Sequence, residues 1–305
     1  MPMVFLSSST IIISSFMAFF FPYEALQLST VSLYILGFIT VLAYLDYDFK
    51  FRMVPTTENL KKTAFYLLII FLLVPSLQWY MAFYIVDDKS LRLGLFLSSI
   101  CPPALIIPLF LKNHKTLISK AHQYVLLYTF IFPLLIFGLL KTYAFDEFQV
   151  PIKNLFVDIF CVTALPISFL FLIRKFTPIT FSAIKLPVRQ FFSLVCIAAL
   201  TFCYFGVAFS KSNIATLSNR DLILLSLLVI FQDFGVYYLM RGILRFFEKE
   251  NDLLLTLMSS LRNVAIAGYV LIFYIPKAAI VPAMVMAVHS IYFVFLDYKI
   301  KTLRE

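Results

Sequence analysis

Charged residues are scarce in this chain of 305 residues: Lys, Arg, Asp and Glu make up 13% of it, whereas 62% is hydrophobic. Ordinary soluble domains are about 25% charged and about 45–50% apolar. Glycine is also scarce, with 7 residues against 36 Phe and 17 Tyr. This composition excludes disordered and collagen-like chains, because both are rich in polar residues or in Gly and Pro. It predicts a polytopic membrane protein whose main partner is the lipid bilayer.

Residues that carry catalytic or metal chemistry are few as well. The 4 cysteines lie inside or at the edge of apolar runs, without a CxxC pair or a neighbouring His, so the sequence predicts no disulfide framework, no metal site and no cofactor. No Ser/His/Asp arrangement or phosphate-binding loop indicates an enzyme. The net charge of +9 is divided among short clusters between apolar runs, a distribution that does not predict nucleic-acid binding.

Ten apolar runs are long enough to be membrane-spanning helices, each of which needs about 20 apolar residues. The short connections between them leave no room for a soluble domain, so any binding site should lie within the membrane. The first run is expected to be a retained helix, since no Lys or Arg precedes it as in a signal peptide. The runs cover residues 3–21, 28–46, 63–84, 91–111, 120–140, 154–173, 190–210, 221–241, 253–274 and 278–297.

Basic residues are distributed unevenly between alternate connections. If the N-terminus is cytoplasmic, 17 of them fall in cytoplasmic segments and 7 in outer segments, and the last one, Arg262, lies in the middle of the ninth run. Cytoplasmic loops of membrane proteins are enriched in Lys and Arg. We therefore expect a multi-pass protein of the cell (inner) membrane with both termini cytoplasmic, which requires an even number of spans.

The ten runs divide into two halves of five, which we expect to be inverted repeats because five is an odd number of crossings. At a constant offset of 161 residues, Ser98–Ser99 in the fourth run align with Ser259–Ser260 in the ninth. Pro102–Pro103 should break the fourth helix, since both residues lack a backbone donor. The ninth run carries Arg262–Asn263 at the matching place. The predicted units are a first repeat over 1–140, a connection over 141–153 and a second repeat over 154–305.

Arg262 is the most informative residue of the chain. A charged side chain at the bilayer centre costs at least about 2.5–3.5 kcal/mol on insertion scales and should therefore face the protein interior. Two interpretations remain open: a fixed cation for an anionic substrate, and one half of a structural ion pair with Asp233. The predicted substrate-binding residues lie at the two breaks and are Arg262, Asn263, Ser259, Ser260, Ser98, Ser99, Pro102 and Pro103.

Three further polar residues lie deep in apolar runs. Gln232 and Asp233 belong to the eighth run, and His289 belongs to the tenth. Ionisable residues within membrane spans mark ion or substrate pathways, so we predict that these three hold a coupling ion. For His289 an ordinary hydrogen bond between helices remains the alternative.

Short motifs spread along nearly the whole chain can be matched to one family of transporters. They include a Cys-Pro step in the fourth run, a Thr four residues before a Pro in the fifth, and a stretch in the ninth that ends in Asn and small residues. The matching stretches are Leu36–Ile39, Leu45–Lys50 with Pro55, Cys101–Pro102, Thr129 with Pro133, Gly235–Tyr237 and Met258–Ala267. On these stretches the chain resembles the bile acid:sodium symporter family.

The resemblance implies ten helices in two inverted five-helix repeats, with broken helices 4 and 9 that cross. A core domain from helices 3–5 and 8–10 would move against a panel domain from helices 1–2 and 6–7 during sodium-coupled uptake of organic anions. Of the family's ion ligands, Thr129 is retained and counts as a predicted coupling-ion residue. The family's Glu, Gln and Ser-Asn pair correspond here to Met258, Arg262 and Ile107–Pro108. Sodium needs several oxygen ligands, so we expect transport that does not require sodium.

The predicted function is secondary transport of a small organic anion by alternating access, with Arg262 and Asn263 at the crossover. Coupling would fall to protons through Asp233 or His289, or the protein would be a uniporter. Two alternatives remain. One is a non-transporting membrane scaffold or sensor that has kept the fold, and the other is a proton-coupled carrier of the auxin-efflux or antiporter type.

Overall fold

The computed structural model describes residues 2–45, 57–111, 114–143, 152–176, 186–210, 217–248 and 251–302. Nearly all of these residues are helical, and none of them belongs to a β-strand. The all-α prediction is confirmed for this part of the chain. Residues 46–50 of the family resemblance and residues 144–151 of the predicted connection lie outside the described ranges.

The first half of the chain forms helices close to the predicted runs, with one addition. A short helix begins at Pro22, where proline is favoured because the first helical residue needs no N–H partner, and it lies at 112° to the helix before it. The apolar runs alone do not predict this bend. Helices α1 to α8 are Pro2–Phe20, Pro22–Ser29, Ser32–Tyr44, Thr57–Leu68, Val74–Ile85, Lys89–Ile100, Ile107–Phe110 and Lys115–Tyr143.

The second half contains a bent pair and a second interrupted helix. The sixth predicted run is divided at Thr163 into two helices that meet at 40°. Helices α9 to α16 are Ile152–Val162, Ala164–Phe176, Leu186–Ala208, Asn219–Ile230, Val236–Phe247, Asp252–Ser260, Val264–Tyr274 and Ile280–Thr302, and a 3₁₀ turn at Pro276–Ala279 precedes the last one.

Two π-helical turns interrupt otherwise continuous helices. Ile69–Leu73 joins α4 to α5, and Phe231–Gly235 joins α12 to α13. In a π turn the hydrogen bond runs from residue i to residue i+5, which widens the helix and is frequent at functional sites. In the second turn the Phe231 ring lies across Gly235, where an added Cβ would lie 2.2 Å from a ring carbon.

Within the described residues, four helical segments are long and apolar enough to cross a membrane, and six are if each bent pair counts as one span. Many large apolar side chains on their outer faces are exposed, with Phe16 at 62% and Phe246 at 84%. Soluble monomers rarely expose apolar surface on this scale, so the chain is a membrane-embedded protein. The four segments are Lys61–Ile85, Val188–Ala208, Asn219–Phe247 and Pro276–Ile300.

The helices pack around α16, which contacts α1, α6, α11, α12 and α15. Helix α11 also packs along α1, α2 and α3. The approach of α6 to the start of α16 is very close, because a Cβ added at Gly94 would lie 2.5 Å from the backbone oxygen of Ala278. Glycine is required at this position for that reason.

Ion pairs lie near the two ends of the continuous helix formed by α12 and α13. At one end Lys277 pairs with Asp88, which also accepts a hydrogen bond from the backbone N–H of Leu91 and so caps α6. At the other end Arg241 pairs with Asp252 at 3.0 Å. Burial by itself would raise the pKa of the Asp88 carboxyl, but the hydrogen bonds from Lys277 and the backbone hold its pKa below the ordinary value.

Candidate functional site: the crossing of two broken helices

The breaks in the fourth and ninth runs lie against each other. The N–H of Ala104 donates to the oxygen of Leu261 at 2.9 Å, and the N–H of Asn263 donates to the oxygen of Pro102 at 2.8 Å. These two bonds form an isolated antiparallel β-bridge that includes Arg262. The extended backbone of each break therefore satisfies the polar groups of the other, as buried backbone requires in the absence of water.

Local sequence accounts for the first break. Helix α6 ends at Ile100, and Cys101 has φ −52° and ψ 148°, an extended conformation. A residue before proline is pushed out of the α region, and Pro102–Pro103 supply no backbone donor. The break predicted at this position is present.

The second break has no such local cause. Leu261, at the end of α14, has φ −100° and ψ 99°, and Asn263 has φ −82° and ψ 66° before α15 begins. Neither Pro nor Gly lies in this stretch. The break exists because the fourth run presents extended backbone here and because Arg262 finds its partners outside its own helix. The predicted interruption at Arg262–Asn263 is therefore present, for a tertiary reason.

The Arg262 side chain is buried and bound by backbone oxygens. It is 1% exposed, and its Nη2 donates to the oxygen of Ile70 at 2.7 Å, while Nη1 donates to the oxygen of Cys101 at 3.4 Å. The proposed ion pair with Asp233 is wrong, since Asp233 instead contacts His289. Within the described residues no carboxylate pairs with Arg262, so its charge is compensated only by dipoles.

The Ile70 oxygen is available because of the first π turn. The N–H of Val74 bonds to the oxygen of Ile69 rather than to that of Ile70. The next residue along the chain, Pro75, has no N–H to offer. An unpaired carbonyl oxygen in hydrocarbon costs several kcal/mol, and the Arg262 guanidinium supplies the missing donor. The sequence signal for this contact is Pro75 inside an apolar run.

A cavity of about 280 Å³ opens beside the crossing. One wall is formed by the breaks, through Ala104–Ile106 and Arg262–Ala265, and the facing walls come from α1, α3, α11 and α16. The lining is mostly apolar. Its polar residues are Ser7, Ser193, Arg262, Asn263 and His289. Sequence reasoning missed the two serines, although Ser7 begins a run of four hydroxyl residues that could have marked it.

The charge at this cavity is positive on the side of the breaks. Arg262 and Asn263 line it together with Val264 and Ala265, the first residues of α15. The N-terminus of a helix carries unsatisfied N–H groups and the positive end of its dipole. A guanidinium that has no carboxylate partner in the described part of the chain, next to a helix N-terminus in a mostly apolar cavity, is suited to an organic anion with an apolar body.

The remaining predicted binding residues lie next to the crossing but do not line the cavity. Ser99 donates to the oxygen of Phe96 at 2.7 Å, and Ser260 donates to the oxygen of Thr256 at 2.9 Å. The Ser98 and Ser259 hydroxyls are buried and have no partner among the described residues. Pro102 and Pro103 form the bridge described above. These serines and prolines stay predictions as binding residues.

The predicted coupling residues fall into two groups. Asp233 and His289 form a buried pair, with His289 Nε2 at 3.2 Å from Asp233 Oδ1, and Asp233 Oδ2 and both amide atoms of Gln232 are buried without a partner in the described chain. Thr129 lies apart from them in α8, where it donates to the oxygen of Val125 at 2.7 Å. The structure thus brings together three of the four residues.

Tyr292 connects the pair to the second break. It lies one turn after His289 on α16, and its hydroxyl donates to Ser260 Oγ at 2.7 Å. Ser260 is the last residue of α14, two positions before Arg262. This hydrogen bond therefore joins α16, the helix that carries His289, to the end of α14.

The chain was compared with protein families and with curated proteins, and no family model and no curated protein matches it.

Proposed function

We propose that this protein is a ten-helix secondary transporter that moves a small organic anion by alternating access. The observation that carries the proposal is the buried Arg262 guanidinium, whose partners among the described residues are backbone oxygens and not carboxylates, beside a cavity between two broken helices. A buried cation of this kind favours an anionic ligand, because the ligand would supply the missing negative charge where solvent is excluded.

Contacts between connections support ten crossings. Asp88, Lys277 and Arg220 come from three different connections that the basic-residue pattern assigns to the outer side, and they meet in one cluster through Asp87 and Asp88. Lys120 donates to Asn251 at 3.0 Å, and both belong to connections assigned to the cytoplasm. Groups assigned to one side meet each other, as the proposed topology requires. We assign the cytoplasmic side, with both termini, from the positive-inside rule.

The spacing of the irregular elements supports two inverted five-helix repeats. The π turns at Ile69–Leu73 and Phe231–Gly235 begin 162 residues apart. The helices that precede the breaks end at Ile100 and Ser260, which are 160 residues apart. Both offsets lie within one residue of the one that aligns the Ser-Ser pairs in the sequence. Irregular backbone at matching positions of two halves is the signature of transporters built from inverted repeats.

The position of the cavity supports alternating access. Its walls combine the crossing with α1, α3 and α11, which belong to helices 1, 2 and 7 of the panel domain that the resemblance to bile acid:sodium symporters implies. A panel that moves against the crossing would open this cavity to one side of the membrane or to the other. The lining by Ile11, Leu36 and Ile197 suits the apolar body of the anion.

The contacts of Arg262 favour sodium independence. Its guanidinium already occupies the oxygens of Ile70 and Cys101 at the crossing, so these oxygens are not free to bind a cation. The fixed positive charge would also repel one. We therefore propose that Arg262 provides in the protein itself the positive charge that a sodium ion would bring to an anion.

The test is binding and exchange of compact organic monoanions, with benzenesulfonate and benzoate as probes. Purified protein should be stabilised against heat by both anions, equally in sodium and in choline buffers, because a ligand that binds only the folded state raises its stability. Vesicles that contain the protein should exchange labelled benzenesulfonate, and vesicles with the variant Arg262→Met should not. Binding without exchange would favour a sensor, and the absence of both would refute the proposal.

A further inference from the structure

We infer that the Asp233–His289 pair binds the proton that accompanies the anion, so that the protein is an electroneutral symporter of one proton and one monoanion. The inference rests on the proposed function and specifies its driving force. It is derived from the charges around the cavity and from the exposure of the two members of the pair.

The two members of the pair differ in access. His289 lines the cavity beside the crossing, whereas Asp233 is 0% exposed behind it. Asp233 Oδ1 lies 3.2 Å from His289 Nε2, and its other oxygen has no partner in the described chain. A proton can therefore reach the imidazole from the cavity, and the carboxylate can stabilise the imidazolium that forms.

Charge balance links this proton to the anion. With the cavity empty and His289 neutral, Arg262 and Asp233 carry opposite charges and the site is neutral. A monoanion by itself would leave one uncompensated negative charge in a medium of low dielectric constant, which is costly. Addition of one proton to His289 restores neutrality. The loaded site and the empty site are then both neutral, and both can be reoriented across the membrane without transfer of net charge.

Other titratable groups do not replace the pair in this role. Arg262 is the charged group that shares the cavity with His289, and Tyr292 is the nearest titratable group on the same helix. Helices α1 and α7 carry no titratable residue. The titratable residues of the other packed elements whose side chains the structure describes do not line the cavity. They are Lys89, Arg92, Cys101, Arg189, Cys196, Cys203, Tyr204, Arg220, Asp221, Tyr237, Tyr238, Arg241, Arg245, Asp252, Tyr269, Tyr274, Lys277, Asp297, Tyr298 and Lys299.

The first experiment measures proton movement with the anion. Vesicles that contain the wild-type protein and the pH dye pyranine receive external benzenesulfonate, which stays ionised and cannot carry a proton through lipid. We expect the interior to acidify by about one proton for each anion taken up. An inward proton gradient of one pH unit should support about tenfold accumulation, and a potassium diffusion potential should have no effect. Net uptake of benzenesulfonate without acidification would overturn the inference and leave the proposed function intact, whereas the absence of both net uptake and exchange would refute the proposed function.

The second experiment uses two variants whose expected effects differ. Asp233→Asn gives the empty site a net positive charge, so benzenesulfonate should bind well at every pH and its uptake should become sensitive to membrane potential. His289→Gln leaves the carboxylate uncompensated in the loaded site, so binding should be weak at every pH. In the wild type, binding should be at least about fivefold tighter at pH 5.5 than at pH 7.5, the lower end of common coupling energies.

Two control variants remove a carboxylate and an imidazole at other positions of the chain. Asp221→Asn lies at the start of α12, far along the same helix, and His122→Gln lies in α8; both should keep the wild-type dependence on pH. A monodisperse elution profile and a cooperative thermal unfolding transition establish that a variant is folded. If the two pair variants behave alike, or if either keeps the pH dependence of the wild type, the pair is structural and the inference is wrong.

Discussion

The two halves of the crossing have the same backbone plan and different chemistry. Each half has a π turn in one helix and a break in the next. In the first half the turn is apolar, Ile69–Leu73, and the break is made by Pro102–Pro103. In the second half the turn contains Gln232 and Asp233, and the break contains Arg262.

This difference shows how charge can be placed inside a membrane at low cost. The first half offers backbone oxygens that its prolines leave free, and the second half brings the guanidinium that binds them. The second π turn offers side chains instead, and α16 brings His289 to meet them. Each charged group is thus stabilised by an irregular backbone element or by a partner on another helix, which is the way buried polar groups are kept in hydrocarbon.

Substitution of Arg262 should have the largest effect on anion binding. It tests whether the first half of the chain contributes only acceptor oxygens to the site while the positive charge comes from the second half. Arg262→Met keeps the length of the side chain and removes the charge, so we expect binding of benzenesulfonate to fall by about 10- to 100-fold, the range for losing one charge-assisted hydrogen bond. Thermal stability should also fall, by about 1–3 kcal/mol, because the buried Ile70 oxygen loses the donor that Arg262 supplies. Thermal unfolding measured at increasing concentrations of benzenesulfonate gives both the stability of the variant and its affinity for the anion.

A second substitution, Asp233→Asn added to Arg262→Ala, tests whether Arg262 and Asp233 form an ion pair. Since Asp233 contacts His289 rather than Arg262, Asp233→Asn should not restore the expression or stability of Arg262→Ala. Full recovery of expression and stability in the double variant would show that Arg262 and Asp233 interact. It would contradict the separate partners described for the two residues.

The second prediction concerns the close approach of the first broken helix to α16. Gly94→Ala places a Cβ 2.5 Å from the backbone oxygen of Ala278, so it should lower stability by about 1–3 kcal/mol, the usual cost of overpacking. Gly242→Ala is the matched control, because a Cβ there has no atom within 4 Å. The control should be neutral or stabilising, since Ala is the better helix former. Equal melting temperatures of the two variants would count against the packing described for α6.

The third prediction compares the first turns of the two broken helices. Asp88 caps α6 and pairs with Lys277; Asp88→Asn keeps a capping side chain but removes the paired charge, so it should lower stability by about 1 kcal/mol at pH 7. Asp87→Asn is the control, because Asp87 pairs with Arg220 and both side chains are over 70% exposed; exposed pairs contribute little. Asp252→Asn tests the corresponding residue of α14, which pairs with Arg241.

The effect of Asp88→Asn should depend on pH with a defined sign. The pKa of Asp88 is lower in the folded protein than in the unfolded chain, so its stabilisation is present above the unfolded pKa and is lost as pH falls through the folded pKa. The wild type and Asp88→Asn should therefore differ in melting temperature at pH 7 and converge in strong acid. A difference that grows as the pH falls would contradict this sign.

The smallest expected effect concerns Tyr292, which joins the helix that carries His289 to the second break at Ser260. Tyr292→Phe removes the hydrogen bond to Ser260 and should lower stability by about 0.6 kcal/mol, the average for such bonds between membrane helices. Benzenesulfonate should still bind, but the pH dependence of its binding should weaken. Unchanged pH dependence would show that the second break responds to the pair without this tyrosine.

Much of the candidate site follows from the sequence alone. The apolar runs determine where the helices lie, because a helix is the form in which one segment satisfies its own backbone in lipid. Pro102–Pro103 determine the first break by local sterics. The cost of Arg262 in hydrocarbon requires that it be interior, and the depth of Asp233 and His289 marks them for function.

Only the tertiary structure decided which groups meet. The sequence left Asp233 open as the partner of Arg262, but a carbonyl oxygen at Ile70, freed by a π turn and by Pro75, takes that place. Pro75 indicates that a carbonyl oxygen one turn earlier lacks its helical donor, but it does not indicate which side chain supplies the missing donor, so the partner could not be identified in advance. The second break likewise depends on extended backbone from the first, since nothing in its own sequence stops a helix. Local sterics can be read from a chain, whereas pairing across the crossing depends on which helices come together.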